Sequence, residues 1–133
     1  MTEAAPFRPW PDTHPVIRTI AMPADTNPEG DIFGGWLMSQ MDLAAGNAAA
    51  RRAKGRCATV AVESMAFVEP VRVGDEVTVW ADLVRVGRTS MTFHVSAWRR
   101  ARTGTAVSKV TDAMFTFVAL DGDGRPRPIP PEH

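Results

Sequence analysis

A chain of 133 residues, 44% hydrophobic and 23% charged, can bury one real core and is too short for two ordinary domains. Fifteen Lys and Arg balance fifteen Asp and Glu, which argues against nucleic acid or an anionic membrane as partner and requires that any anionic ligand be held by a local cluster. The single cysteine, Cys57, rules out an internal disulfide and suits a reducing compartment.

The opening "MTEAAPFRPWPDTHP" carries Pro6, Pro9, Pro11 and Pro15, no apolar periodicity, and no cationic segment leading into an apolar run. Residues 1–15 read as an irregular N-terminal arm rather than an export signal. No later stretch approaches the roughly eighteen apolar residues that mark a membrane span, so a cytoplasmic location is expected. "VIRTIAM", 16–22, reads as a short strand. "PADTNPEGDIFGG" then gathers Pro23, Pro28, Gly30, Gly34, Gly35 and Asp-Thr-Asn, which is loop chemistry. A helix should begin near Phe33 to Trp36 and end by Gly55, which suits a left-handed cap. Arg51, Arg52 and Lys54 in its last turn complement the helix dipole. At 1.5 Å per residue it would run about 30 Å.

The rest is strand-like: "CATVAVESMAFV", "EVTVWADLVRV", "SMTFHVSAWRR" and "AVSKVTDAMFTFVAL", rich in Val, Thr and Phe. Gly74, Gly87 and Gly104 mark short connections, so successive long strands are expected to run antiparallel as a meander. In the strand over 91–100, Met91, Phe93, Val95 and Ala97 face one way, and Thr92, His94, Ser96 and Trp98 the other. One long apolar helix and one long antiparallel sheet predict an α+β fold with the helix across a concave sheet face. The partly apolar opposite face suggests oligomerisation. A core domain over 16–120 and a proline-rich C-terminal tail over 121–133 complete the expected layout.

Within the helix, Asp42 is surrounded by Met38, Ser39, Ala45 and Gly46 one turn away, and by Met41 and Leu43 in sequence. Two readings stand. Asp42 can belong to a solvated polar stripe with Ser39, Gln40 and Asn47. Alternatively, it is a carboxylate in an apolar cleft, the setting that suits a general base acting on water. Gly34 and Gly35 leave the first-turn N–H groups open, and a developing oxyanion can dock on such groups; close packing is the other explanation. Asn27, fifteen positions before Asp42, has an amide that can orient a water or a carbonyl, or can simply build the Asn-Pro turn.

"IAMPADTNPEGDIFGGWLMSQMDLAAG" and "VTDAMFTFVALDGDGRPRPIP" together resemble the short bacterial acyl-CoA thioesterases of the hotdog fold, and the likeness runs over residues 16–130. The resemblance implies a helix wrapped by a curled antiparallel sheet and hydrolysis of acyl-CoA to a free acid and coenzyme A without a cofactor. It also implies a homodimer, assembled as a trimer of dimers, with sites at the subunit interface. Asn27 and Asp42 would form the active site, and the Gly34 and Gly35 amides would hold the thioester oxygen. Asp42 would activate water, or attack the carbonyl directly to give an anhydride. Family members carry a comparable turn where this chain has "RVGRTS", so Arg88, Thr89 and Ser90 would bind the coenzyme A phosphates, unless this is an ordinary solvated hairpin. The edge "ESMAFVEP", with Met65 and Phe67, would carry the pantetheine arm. The small residues Ala45, Gly46 and Ala49 would let the helix approach that of a partner subunit.

Other chemistry has less support. Cys57 has no Cys/His motif with His14, His94 or His133 and is expected as a small buried hydrophobe. "DGDG" opens like a calcium loop, but Pro126 stands where that loop needs glycine, and no cluster has metal-ligand spacing. A hotdog hydratase would recruit a histidine, which the helix and its preceding loop lack. A non-catalytic acyl-CoA-binding module would have no use for both Asn27 and Asp42.

Overall fold

The computed structural model describes residues 14–132. The segment 1–13, which carries most of the expected N-terminal arm, and His133 lie outside the described residues. Strand β1 (Ile17–Ile20) leads through a 3₁₀ turn to helix α1 (Gly34–Ala53), followed by β2 (Cys57–Glu63), β3 (Glu76–Val86), β4 (Ser90–Arg100) and β5 (Val107–Ala119). All pairings are antiparallel, in the order β1-β3-β4-β5-β2. The helix lies on one face of this curled sheet, which is the hotdog arrangement.

The packing follows from the spacing of side chains. Leu37, Met41, Ala44, Ala45, Ala49 and Ala53 form the buried stripe of α1. Opposite them, Val77 and Val79 of β3, Met91, Phe93, Val95 and Ala97 of β4, and Phe115 and Phe117 of β5 all point inward at alternate positions. Phe93 and Phe117 meet edge to face, with centroids 6.0 Å apart. Ala45 and Ala49 are fully buried in this core, so they are not available to a partner helix as expected. Their small side chains instead let α1 settle on its own sheet, and the Phe117 ring comes close to Gly46.

Three local expectations are corrected. The strand expected over 57–68 ends at Glu63, because Ser64 takes a left-handed conformation (φ 64°) that breaks the pleat. β2 then joins β5 at the far edge of the sheet instead of continuing a meander into β3. The left-handed helix cap is Lys54 (φ 56°), not Gly55. Gly55 is needed for closeness: a Cβ there would fall 2.5 Å from Arg127 Nη2, and that nitrogen donates to the Ala53 carbonyl at 2.9 Å. The orphan carbonyls at the end of α1 are thus met by an arginine from the C-terminal segment.

Candidate active site

Asp42 is half-buried on α1 and lines a groove of about 320 Å³ with Gly35, Met38, Ser39, Thr59, Val62 and Phe115. Its Oδ1 accepts a 2.6 Å hydrogen bond from Thr59 Oγ1. Ser39 of the supposed polar stripe lines this open groove as well, whereas Asn47 lines a different cavity.

Thr59 was not singled out from the sequence. In a strand rich in Val and Thr it reads as a β-former, and nothing local links it to a carboxylate seventeen positions away. What directs it is a register shift in β2 between Thr59 and Ala61, where Thr59 pairs with Phe117 and Ala61 with Thr116. Such bulges re-aim side chains.

Gly35 borders the same groove, while Gly34 faces a smaller apolar pocket beside Phe67. Phe33, the N-cap residue, offers no side-chain cap, and the first turn contains no acidic residue. The free N–H groups of Gly34 and Gly35 are therefore open to an incoming acceptor. Asn27 does not line the Asp42 groove. Its Oδ1 accepts from the backbone N–H groups of Glu29 and Asp31, both at 3.0 Å, and its own N–H donates to the Asp31 carbonyl at 2.7 Å. The turn is built on the amide oxygen, and Nδ2 has no partner among the described residues.

Arg88, Thr89 and Ser90 form the β3–β4 hairpin tip, and the Arg88 guanidinium is exposed. The tip is held by its backbone: Arg88 O accepts from Ile129 N and Thr89 O from Ala119 N, both at 2.9 Å. Arg52 Nη1 donates to the neighbouring Pro130 carbonyl at 2.7 Å. These bonds place the tip at the C-terminal end of α1, whereas Gly34 and Gly35 open its other end. Within one chain the turn and the glycines are thus separated by about the length of a twenty-residue helix, roughly 30 Å. The structure does not bring them together in a single chain. Met65 packs against the core, and Phe67 lies half-exposed over Gly34, where a Cβ would stand 3.1 Å from the ring.

A larger cavity, about 590 Å³, is also at this C-terminal end, ringed by His14, Arg51, Arg52, Lys54, Leu83 and Phe93. It is larger than the Asp42 groove, and the carboxylate that lines it, Glu132, stands with the C-terminal turns of α1 rather than with its N-terminal donors. His94 is far from a catalytic setting: its Nε2 lies 2.7 Å from Asp112 Oδ2 on the sheet, and that hydrogen bond holds Asp112 below the usual carboxylate range. Cys57 is half-buried, not fully buried, and desolvation pushes its thiol up despite the opposing Arg127 charge. In "DGDG", Asp121 Oδ1 accepts from the backbone N–H groups of Asp123 and Arg125, an ordinary turn.

Residues 29–106 match the Thioesterase superfamily. An uncharacterized acyl-CoA thioester hydrolase from Zymomonas mobilis is 53% identical over 121 residues, covering 91% of this chain and 81% of the relative. The acyl-CoA thioester hydrolase YciA of Escherichia coli is 48% identical, covering 88% of this chain and 91% of its own. Among solved structures, the hexameric thioesterase y2039 from Yersinia pestis superposes with a TM-score of 0.86 at 46% identity, covering 92% of this chain and 99% of that one. Sequence match, fold and overall extent agree: this chain belongs to the thioesterase superfamily.

Proposed function

We propose that this protein hydrolyses acyl-CoA thioesters to a carboxylic acid and coenzyme A. The observation that carries the reading is the half-buried Asp42, held by Thr59 in a groove that also meets the uncapped start of α1 at Gly35. Asp42 takes a proton from water as the water oxygen bonds to the thioester carbon. The carbonyl oxygen becomes an oxyanion facing the Gly34 and Gly35 N–H groups. Its collapse breaks the C–S bond, and the coenzyme A thiolate leaves and is protonated. The Thr59 hydrogen bond fixes which carboxylate oxygen faces the water.

Assembly supplies the remaining contacts. Leu43 of α1 and Val60 of β2 are 63% and 57% exposed, and β2 is an edge strand. Together they form an apolar edge that a second copy can cover. In this reading a homodimer brings Asn27 of one subunit opposite Asp42 of the other, its Nδ2 donating to water or substrate. Three dimers build a hexamer like that of the Yersinia pestis thioesterase. Arg88, Thr89 and Ser90 contact the coenzyme A phosphates, and Met65 and Phe67 flank the pantetheine path.

The direct test is a series of acyl-CoAs assayed with a thiol-detecting reagent. Thiol release proportional to enzyme and matched by equimolar free acid is expected for at least part of the series; no release from any of them would rule the reading out.

A further inference from the structure

We propose that the cavity beside the last turns of α1 is a second binding site, one that takes a carboxylate carried on an aliphatic chain. This is the chemical class of the acid released by the proposed hydrolysis, but the binding itself does not depend on that reading. The cavity, about 590 Å³, falls in the size range of small-molecule sites. It lies apart from the chemistry. The Asp42 groove is lined by Thr59 and Val62 of β2 and Phe115 of β5, whereas this cavity is lined by Ala81 and Leu83 of β3 and Phe93 of β4. Neither the turn from Arg88 to Ser90 nor the apolar edge at Leu43 and Val60 contributes to it.

Two alanines leave the space open. Ala48 of α1 and Ala81 of β3 both line the cavity, each half-buried against the core. A methyl group at each position keeps helix and sheet from closing on one another, where longer side chains would fill the gap. The wall is apolar and graded in depth: Val16 and Leu83 are exposed at the rim, and Phe93 is buried at the floor.

The charges select the head group. Arg51, Arg52 and Lys54 line the cavity against Glu132 as the one carboxylate among the described lining residues. Arg52 is partly committed, its Nη1 donating to the Pro130 carbonyl at 2.7 Å. The side chains of Arg51 and Lys54 are exposed and have no partner among the described residues. This end of α1 carries the helix's partial negative charge, which offsets part of the cationic field and disfavours a multiply charged phosphate. A carboxylate has a single charge, and its two oxygens match the guanidinium fork of Arg51. Beyond the charged groups, His14 and Asn47 are the polar side chains of the lining, too few for a sugar or a base, whereas an alkyl chain needs none.

Isothermal titration calorimetry of the full chain with decanoate, below its micelle-forming concentration and with saturating coenzyme A to occupy the catalytic groove, tests the site. Saturable binding of about one decanoate per chain is expected from a single cavity per subunit. Acetate and decan-1-ol should each bind at least about tenfold more weakly, since one lacks the chain and the other the charge. Arg51→Gln combined with Lys54→Asn, asparagine being tolerated in the left-handed cap that Lys54 forms, should weaken decanoate by about tenfold or more. Ala48→Leu keeps a strong helix former, fills the wall and should do the same. No saturable binding, or an affinity within about twofold of the parent's in the charge-altered variant, would overturn the site. Decyl phosphate binding more tightly than decanoate would overturn the choice of a carboxylate. Thiol release from acetyl-CoA, measured alongside, should be the same in parent and variants. A parent that binds decanoate as described and releases no thiol would uphold the site and remove only the hydrolase reading.

Discussion

Asp42→Asn should lower kcat for acyl-CoA hydrolysis by roughly 10²–10⁴-fold, the range that a positioned general base contributes. The substitution keeps shape and keeps an oxygen that can accept the 2.6 Å hydrogen bond from Thr59. It removes only the ability to take a proton from water. The groove around Asp42 is open and no ion pair among the described residues depends on the carboxylate, so the assembly should persist and the melting temperature should stay within a few degrees of the parent. Single-turnover kinetics alongside thermal unfolding would check both parts. Near-parental turnover in a folded variant would mean that another group activates the water.

A second large effect is expected in stability. Arg99 Nε donates to Asp75 Oδ2 at 2.7 Å, and Asp75 is only 3% exposed. Arg99 Nη1 also reaches Glu69, and these bonds raise the Arg99 pKa still further, the Asp75 hydrogen bond being the largest cause. The pair fastens the connection between β2 and β3 to β4; Thr111 Oγ1 donating to Ala66 O and Val68 N donating to Val110 O secure the same connection to β5. Arg99→Leu would leave a buried carboxylate without its cation, which costs about 3–5 kcal/mol against a total of roughly 5–15 kcal/mol. A fall in Tm of roughly 10–20 °C is expected for a domain of this size. Adding Asp75→Asn should recover part of that loss, because the penalty lies in the orphaned charge rather than in the missing attraction. A single variant melting within a few degrees of the parent would show that the charge finds water instead. The same connection carries Phe67, so loosening it should also disturb the start of α1.

The helix and the two strands of the β3–β4 hairpin were legible because each rests on local pattern. The apolar run after Gly34–Gly35 ends in cationic residues, and β3 and β4 fall on 76–86 and 90–100 as their alternation and glycine turns require. What the sequence hid was non-local. β2 carries the same Val and Thr content as its neighbours, yet it pairs with β5, the last strand in the chain, and so forms the edge of the sheet opposite β1, a choice made only when the sheet curls around the helix. Gly55 had the composition of a left-handed cap, but Lys54 took that role, and what Gly55 supplies is room for Arg127. Ala45 and Ala49 are equally good for helix–helix or helix–sheet contact; the sheet claimed them. The same division runs through the site. Asp42 was conspicuous as a charge among apolar residues, whereas Thr59 matters only through a register shift that no residue type announces.

The shared site is tested most directly by subunit complementation. Asn27→Ala and Asp42→Ala should each be nearly inactive alone under the proposed shared site, in which Asn27, which does not border the Asp42 groove of its own chain, serves the partner's groove. A mixed dimer contains one site with both residues and one with neither. Random pairing makes half of the dimers mixed, and each of those has one good site of two, so activity should return to about a quarter of the parent level by twofold symmetry. The two variants, differently tagged, are to be refolded together and the mixed species purified before acyl-CoA hydrolysis is measured. Recovery near a quarter in the unfractionated mixture, concentrated in the doubly tagged fraction, is the expected result. Mixed dimers that form and stay inactive would contradict a site built from Asn27 of one subunit and Asp42 of the other.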